Sequence, residues 1–330
     1  MNSDTLRHEI DAAVRRLSHH SEFLRETPLL KLPGSAFKLN CAEVWLKLEH
    51  LQVGGSFKAR GMLNRLLANP IPPSGVIVAS GGNAGIATAA AARALGVPCE
   101  VFVPTVSSPA KQARLRELGA TVVVTGAAYS EALQACLARQ SETGALMTHA
   151  YDQIEVVAGA GTLAREIEMQ GGVPDTLLVS VGGGGLIGGV AAWFAGRSNV
   201  VAMESEHTPT LYEARKAGQP VDVAVSGIAA DSLGAKRIGN IGWAVSQQRV
   251  KDDVPLNHDA PLVADAVLVS DDSIRTAQKW LWNHIRLAVE PAAALGLAAL
   301  QTGVYKPRAD EQVCLILCGA NVDLASFQLG

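Results

Sequence analysis

Between Gly75 and His149 the chain repeats one unit three times: a β-branched run, a short turn, and a helix patterned in Ala and Leu. The runs fall at 76–80, 99–103 and 121–125, and the helices start near Asn83, Ser108 and Tyr129. Runs that are apolar throughout, instead of alternating, are covered on both faces, so the repeat dictates a parallel sheet between two layers of helix. Gly96 and Gly119 each stand just before the next run, where a residue in the left-handed region ends a helix. This predicts a small α/β lobe over 73–150.

A second set follows Asp152: helix 161–171, strand 176–181, helix 186–195, strand 200–205, helices 272–287 and 291–302, and a closing buried strand at 311–318. The stretch 218–261 is rich in Gly, Asp and Ser and is expected to loop over the mouth of a site. The N-terminal part contributes an amphipathic helix, a strand candidate at 44–49, and a helix from Ser56 behind a Gly-rich turn. A chain of 330 residues exceeds what one core usually serves. The expected fold is therefore α/β and two-lobed, with a parallel three-layer sheet in both lobes. The large lobe takes 1–72 and 151–330.

Twenty-eight basic against 31 acidic residues give a net charge of −3, which leaves no electrostatic footprint for a nucleic-acid backbone. The apolar stretches are broken by Arg, Glu or Gly, so none is a membrane span. The opening segment carries acids among its basic residues and is not a cleavable signal. A cytoplasmic protein with a small-molecule partner is expected. Cys41, Cys99, Cys136, Cys314 and Cys318 are odd in number and lack the close pairs of zinc or redox motifs, so free thiols are expected. His19 and His20 fit a solvated helix face better than a metal site.

Three Gly-rich turns between strand and helix carry the chemistry, because ligands of open parallel sheets collect at the carboxyl ends of strands. In the first, Gly54 to Gly61, Ser56 can cap a helix whose first turn holds Lys58, and the positive end of the helix dipole opposes protonation of that amine. A neutral lysine can attack a carbonyl; a solvated lysine beside a helix start is the plainer account. In the second, Ser80-Gly81-Gly82-Asn83-Ala84-Gly85, glycines let backbone N–H groups approach an anion such as a substrate carboxylate. Asn83 as a simple N-cap accounts for itself but not for the glycines around it. The third, Gly182 to Gly185, lies between a buried run and a helix. Four glycines in a row cost too much chain entropy for a casual connector, and they suit a phosphate. A dinucleotide-binding oxidoreductase competes for this loop, with Glu204 as the acidic residue about 20 positions on. Against that reading, three strand–helix units precede the loop.

With these turns in order, the chain resembles the fold-type II pyridoxal-phosphate family, typified by tryptophan synthase β and cysteine synthase. It is most similar to the threonine/serine dehydratase and serine racemase branch. The likeness runs over 27–29, 47–61, 80–85, 158–162, 182–186, 290–294 and 318–324. It implies that Lys58 holds pyridoxal 5'-phosphate as a Schiff base and later acts as general base. Phe57 would pack on the ring, Asn83 would bond its hydroxyl, Gly182, Gly183, Gly184 and Gly185 would bind the phosphate, and Cys318 would face the pyridine nitrogen. Ser80, Gly81, Gly82 and Asn83 would hold the substrate carboxylate. A thiol cannot keep that nitrogen protonated, which favours a short-lived carbanion that expels a β-substituent.

The implied activity is β-elimination from a β-hydroxy amino acid such as serine or threonine, releasing ammonia and a 2-oxo acid; the implied assembly is a homodimer. Racemisation is the alternative within the fold. The branch usually has Ser where Gly81 stands, and in racemases that Ser works on the far face. Gly54 replaces a common Thr, which would enlarge the pocket, and Ala84 replaces His. Glu204 is kept at the divalent-cation position of some relatives, but Thr210 falls where the second carboxylate belongs, so no metal is expected.

Overall fold

A computed structural model describes residues 2–250 and 260–323. Its secondary structure follows the expected alternation. The elements are α1 (Ser3–Ser18), β1 (Leu29–Pro33), β2 (Glu43–Lys47), α2 (Lys58–Leu67), β3 (Val76–Ala79), α3 (Asn83–Leu95), β4 (Cys99–Val103), α4 (Pro109–Glu117), β5 (Thr121–Val124), α5 (Tyr129–Thr143) and β6 (Leu146–Thr148). They continue with α6 (Ile154–Gly171), β7 (Thr176–Ser180), α7 (Gly185–Phe194), β8 (Asn199–Ser205), α8 (Thr210–Ala217), α9 (Asn240–Ser246), β9 (Asp265–Val269), α10 (Asp271–Ile285), α11 (Pro291–Thr302) and β10 (Gln312–Ile316).

Two sheets result. One has the order β5-β4-β3-β6 and is parallel throughout. The other has the order β1-β2-β10-β7-β8-β9 and is parallel except at one edge, where β1 runs antiparallel to β2. β10, last in the chain, inserts between β2 and β7, so three distant segments end side by side. Gly96 closes α3 at φ 67°, as the sequence requires.

Several local expectations are corrected. α6 begins at Ile154 and not near 161, passing straight through Gly159 and Gly161. Those glycines are contact surfaces. A Cβ on Gly159 would lie 2.6 Å from the Arg60 carbonyl oxygen, and one on Gly161 would lie 3.1 Å from the Gly189 carbonyl oxygen. Helices α2 and α7 thus approach α6 backbone to backbone. The stretch 218–261 is not all loop, because α9 forms with the Asp152 carboxylate accepting the N–H groups of Asn240 (3.0 Å) and Ile241 (2.9 Å) at its start. Residues 251–259 of that stretch, and Leu324 of the 318–324 motif, lie outside the described residues. Ser56 does not cap α2: Phe57 occupies the N-cap position, and the Ser56 hydroxyl is buried without a partner. Gly54 has φ 70°, so it serves the turn, and it does not line the pocket as expected.

What fixes α2 in place is a buried charge network. Arg60 binds both oxygens of Glu49 (2.9 and 2.7 Å) and reaches Glu166 at 2.9 Å; Lys47 reaches Glu166 at 2.5 Å and the Thr27 carbonyl at 2.7 Å. Two cations and two carboxylates balance, which is the condition for keeping charge inside a core. Arg60 is two residues from Lys58, so the network sets the lysine's position.

Candidate active site

The carboxyl ends of β2, β10 and β7 are neighbours, and so are those of β3 and β6. Each of these five ends feeds a loop that carries a residue singled out above or packed beside one. After β2 the chain turns through Gly54 and Gly55, both at positive φ, into Lys58. After β10 it reaches Cys318, whose carbonyl accepts the Phe57 N–H at 3.0 Å. After β7 it enters Gly182 to Gly185 and α7. Phe57, Lys58, Asn83, Gly182, Gly183, Gly184, Gly185 and Cys318 consequently line one cavity.

Lys58 points inward. Its Nζ donates to the Ala150 carbonyl at 2.6 Å and stands 5.0 Å from the centre of the Phe57 ring. Burial lowers the amine to about 8, against the opposing pull of Glu290. The Cys318 thiol is pushed up strongly by burial and by Glu290, so it is a neutral group. Ser180, which donates to the Ala292 carbonyl at 2.6 Å, lies beside it.

The glycine loop has its own logic. The N–H groups of Gly182, Gly183, Gly184 and Gly185 donate to no acceptor among the described residues, although Gly182, Gly184 and Gly185 are buried. Buried unpaired donors are costly, and four at the N-terminus of a ten-residue helix call for an anion. The glycines also make room. A Cβ on Gly183 would meet the Tyr151 ring at 2.1 Å, and Gly184 sits at φ 82° with Ile238 packed against it. These residues fit a phosphorylated aldehyde, with donors for its phosphate and an amine for its carbonyl.

Asn83 is the first residue of α3, not its cap; Gly82 is the cap. The Asn83 amide is therefore free of the helix. It donates to the Glu290 carboxylate (2.9 and 3.0 Å), and its oxygen accepts from the Asn321 amide (2.7 Å). Gly81, Gly82 and Asn83 border a larger cavity of about 1090 Å3, which meets the first at Asn83, Ser232 and Glu290. Ser80 lines neither; its hydroxyl accepts the Gly82 N–H at 3.4 Å.

Sequence reasoning missed Glu290, Tyr151 and the Ala150 carbonyl. Glu290 is buried and raised to about 7, chiefly by that burial; its backbone N–H donates to the Gly319 carbonyl. Its signal was present in the 290–294 motif, but its place beside Asn83 depends on contacts across 207 residues. Glu204 accepts from Thr210 (3.0 Å) and from the N–H groups of Leu211 (2.8 Å) and Tyr212 (2.7 Å) at the start of α8. The Thr210 hydroxyl also stands 2.6 Å from the Gly182 carbonyl oxygen.

Residues 20–319 match the family model described as pyridoxal-phosphate dependent enzyme. The chain belongs to that family. It is 32% identical over 317 residues to phenylserine dehydratase of Ralstonia pickettii, covering 93% of this chain and 91% of that protein. It is 33% identical over 332 residues to L-threonine ammonia-lyase of Geobacter sulfurreducens, covering 98% and 77%. Among solved structures it is similar to maize serine racemase (TM-score 0.85, 28% identity, 97% and 94% covered) and to the threonine deaminase of T.th. (0.82, 31%, 96% and 98%). The dinucleotide reading falls with this match, and Glu204 is occupied in starting α8.

Proposed function

We propose that this chain eliminates the β-hydroxyl of an amino acid and releases ammonia and a 2-oxo acid, with Lys58 as both cofactor anchor and general base. One observation carries the reading: the half-buried Lys58 amine, lowered to about 8 by desolvation, shares a cavity with four N–H groups at a helix start that are unpaired among the described residues. Bound there, pyridoxal 5'-phosphate supplies the electron sink that acidifies the substrate Cα–H bond.

The chain's own residues do the rest. Gly182 to Gly185 hold the phosphate through backbone N–H groups. Lys58 would serve as the base for the substrate Cα proton, with one of its own hydrogens held by the Ala150 carbonyl. Cys318, kept neutral by burial, would be a weak partner for the ring nitrogen and would not hold a proton there, and Phe57 would pack beside the ring. Asn83, held by Glu290 and Asn321, would meet the cofactor's ring hydroxyl, and the N–H groups of Gly81 and Asn83 would take the substrate carboxylate at the start of α3, with Ser80 behind them accepting the Gly82 N–H.

Gly81 offers no hydroxyl for the opposite face, which favours elimination over racemisation. The same proposal divides the chain into a lobe of 73–150 and a lobe of 1–72 with 151–330; the strands of each sheet fall within one of these parts. Among the described residues no helix is long and apolar enough to cross a membrane. A cytoplasmic homodimer is included by likeness to enzymes of amino-acid metabolism.

The relatives act on side chains of different bulk, and the 1090 Å3 cavity beyond Asn83 admits more than a methyl group. Assay of 2-oxo acid and ammonia release across serine, threonine and phenylserine tests the reading. Stoichiometric release of both products from at least one supports it, and no release from any rejects it.

A further inference from the structure

The short link 149–153 crosses from β6 in one sheet to α6 beneath the other, and its geometry is set by a side chain that the mechanism above does not use. His149 Nδ1 lies 3.3 Å from the Tyr151 nitrogen and 3.0 Å from the Asp152 nitrogen. Backbone N–H groups only donate, so Nδ1 must accept, and the ring must be neutral with its hydrogen on Nε2. The His149 N–H donates in turn to Gln153 Oε1 at 2.8 Å.

A turn closed in this way aims three groups at once. The Ala150 carbonyl accepts the Lys58 amine. The Tyr151 ring packs where any side chain on Gly183 would be. The Asp152 carboxylate starts α9.

We propose that His149 is the positioning residue for Lys58: its neutral ring folds the turn whose Ala150 carbonyl orients the lysine while the lysine acts as base. The proposal rests on the assignment of Lys58 made above. The groups facing the ring are Asp152 on the turn, Lys58 on α2, and Tyr151, which stands edge-on at 4.6 Å and whose phenol is pushed up to about 12 by burial. Burial lowers His149, Asp152 opposes that shift, and Lys58 adds to it. A proton on Nδ1 would set a donor against two donors and put a second cation near Lys58. The turn would then open as pH falls through the depressed His149 value, and turnover would fall with it.

Two variants of the holoenzyme test this. His149→Phe keeps the ring volume and removes the acceptor; His149→Asn keeps an acceptor for N–H groups two and three residues on and does not titrate. The expected result for His149→Phe is a kcat lower by about tenfold with KM changed by less than about threefold. Its Tyr151 and Asp152 amides should also lose hydrogen-exchange protection. His149→Asn should retain kcat within about threefold and keep both amides protected. Wild-type kcat and amide protection in His149→Phe, or a kcat lower by about tenfold in His149→Asn with both amides still protected, would overturn the proposal. Borohydride labelling of the same holoenzymes separates the two ideas: label on Lys58 with an unaffected His149→Phe sinks only the role of His149, whereas label elsewhere sinks the lysine assignment with it.

Discussion

The two sheets carry site loops of the same kind on very different foundations. In the six-stranded sheet every residue of β7 is buried, and the helix its loop opens, α7, buries all of its residues. In the four-stranded sheet β5 buries none of its residues, and α4 buries only Leu115. The glycine loop at 182–185 is therefore cast into a core that cannot shift without losing packing. The loop at 80–83, proposed for the substrate carboxylate, stands between the buried β3 and the largely buried α3, so the thin part of the smaller sheet is its outer edge. The glycine loop is fixed by packing on every side, while the smaller sheet is packed at its centre and thin at its outer strand.

The comparison can be broken most forcefully at its fixed side. Lys58→Ala is expected to lower turnover by at least about a thousandfold, measured as 2-oxo acid release, because both the covalent anchor and the base are lost. Gly183→Ala places a methyl group 2.1 Å from the Tyr151 ring in a region with no slack. The expected result is a cofactor dissociation constant raised by about tenfold or more, read by equilibrium titration of the apo-enzyme.

The lysine itself gives a pH test. Burial holds its amine at about 8, and only the neutral amine attacks an aldehyde, so capture should quicken as pH rises. Recombination of apo-enzyme with pyridoxal phosphate should accelerate by about tenfold between roughly pH 7 and 9, followed by the visible band. A rate that is flat across this range would mean the amine is not the buried group described.

On the smaller sheet the effects shrink. A Cβ on Gly81 would meet Ser107 Oγ at 3.0 Å and Val103 Cγ1 at 3.3 Å, contacts that a turn of the serine hydroxyl can relieve. Gly81→Ser should therefore fold and raise racemisation relative to elimination by about threefold, by chiral analysis of recovered serine. An unchanged ratio would remove the reason for preferring the lyase. Smallest of all, Val124→Thr on the exposed edge should alter unfolding free energy by less than about 0.5 kcal/mol in urea titration.

How much of this could be read before the structure divides along the same line. Buried parallel strands announce themselves as continuous apolar runs, so β3, β4, β7, β8 and β10 were legible with the loops they feed. β1, β6 and β9 were not: β6 is three residues long, β9 starts on an acidic residue, and β1 pairs antiparallel on an edge. The four glycines stand out because their backbone demands mark the sequence, whereas Lys58 and Cys318 were given their roles only by the family resemblance. Glu290 and the Ala150 carbonyl escaped for a physical reason: a carboxylate acquires its role only from what folds against it, and a carbonyl leaves no trace in residue type. The helix expected from 161 starts instead at Ile154, and Gly159 and Gly161 within it let α2 and α7 come close to α6.

The central claim is that one amine, on the loop after β2, is bonded to the cofactor. Reduction of the loaded enzyme with borohydride, digestion, and mass mapping of the pyridoxyl peptide tests it in a single step. The account predicts the added mass on Lys58 alone; a pyridoxyl group on any other lysine, or none retained after reduction, would contradict it.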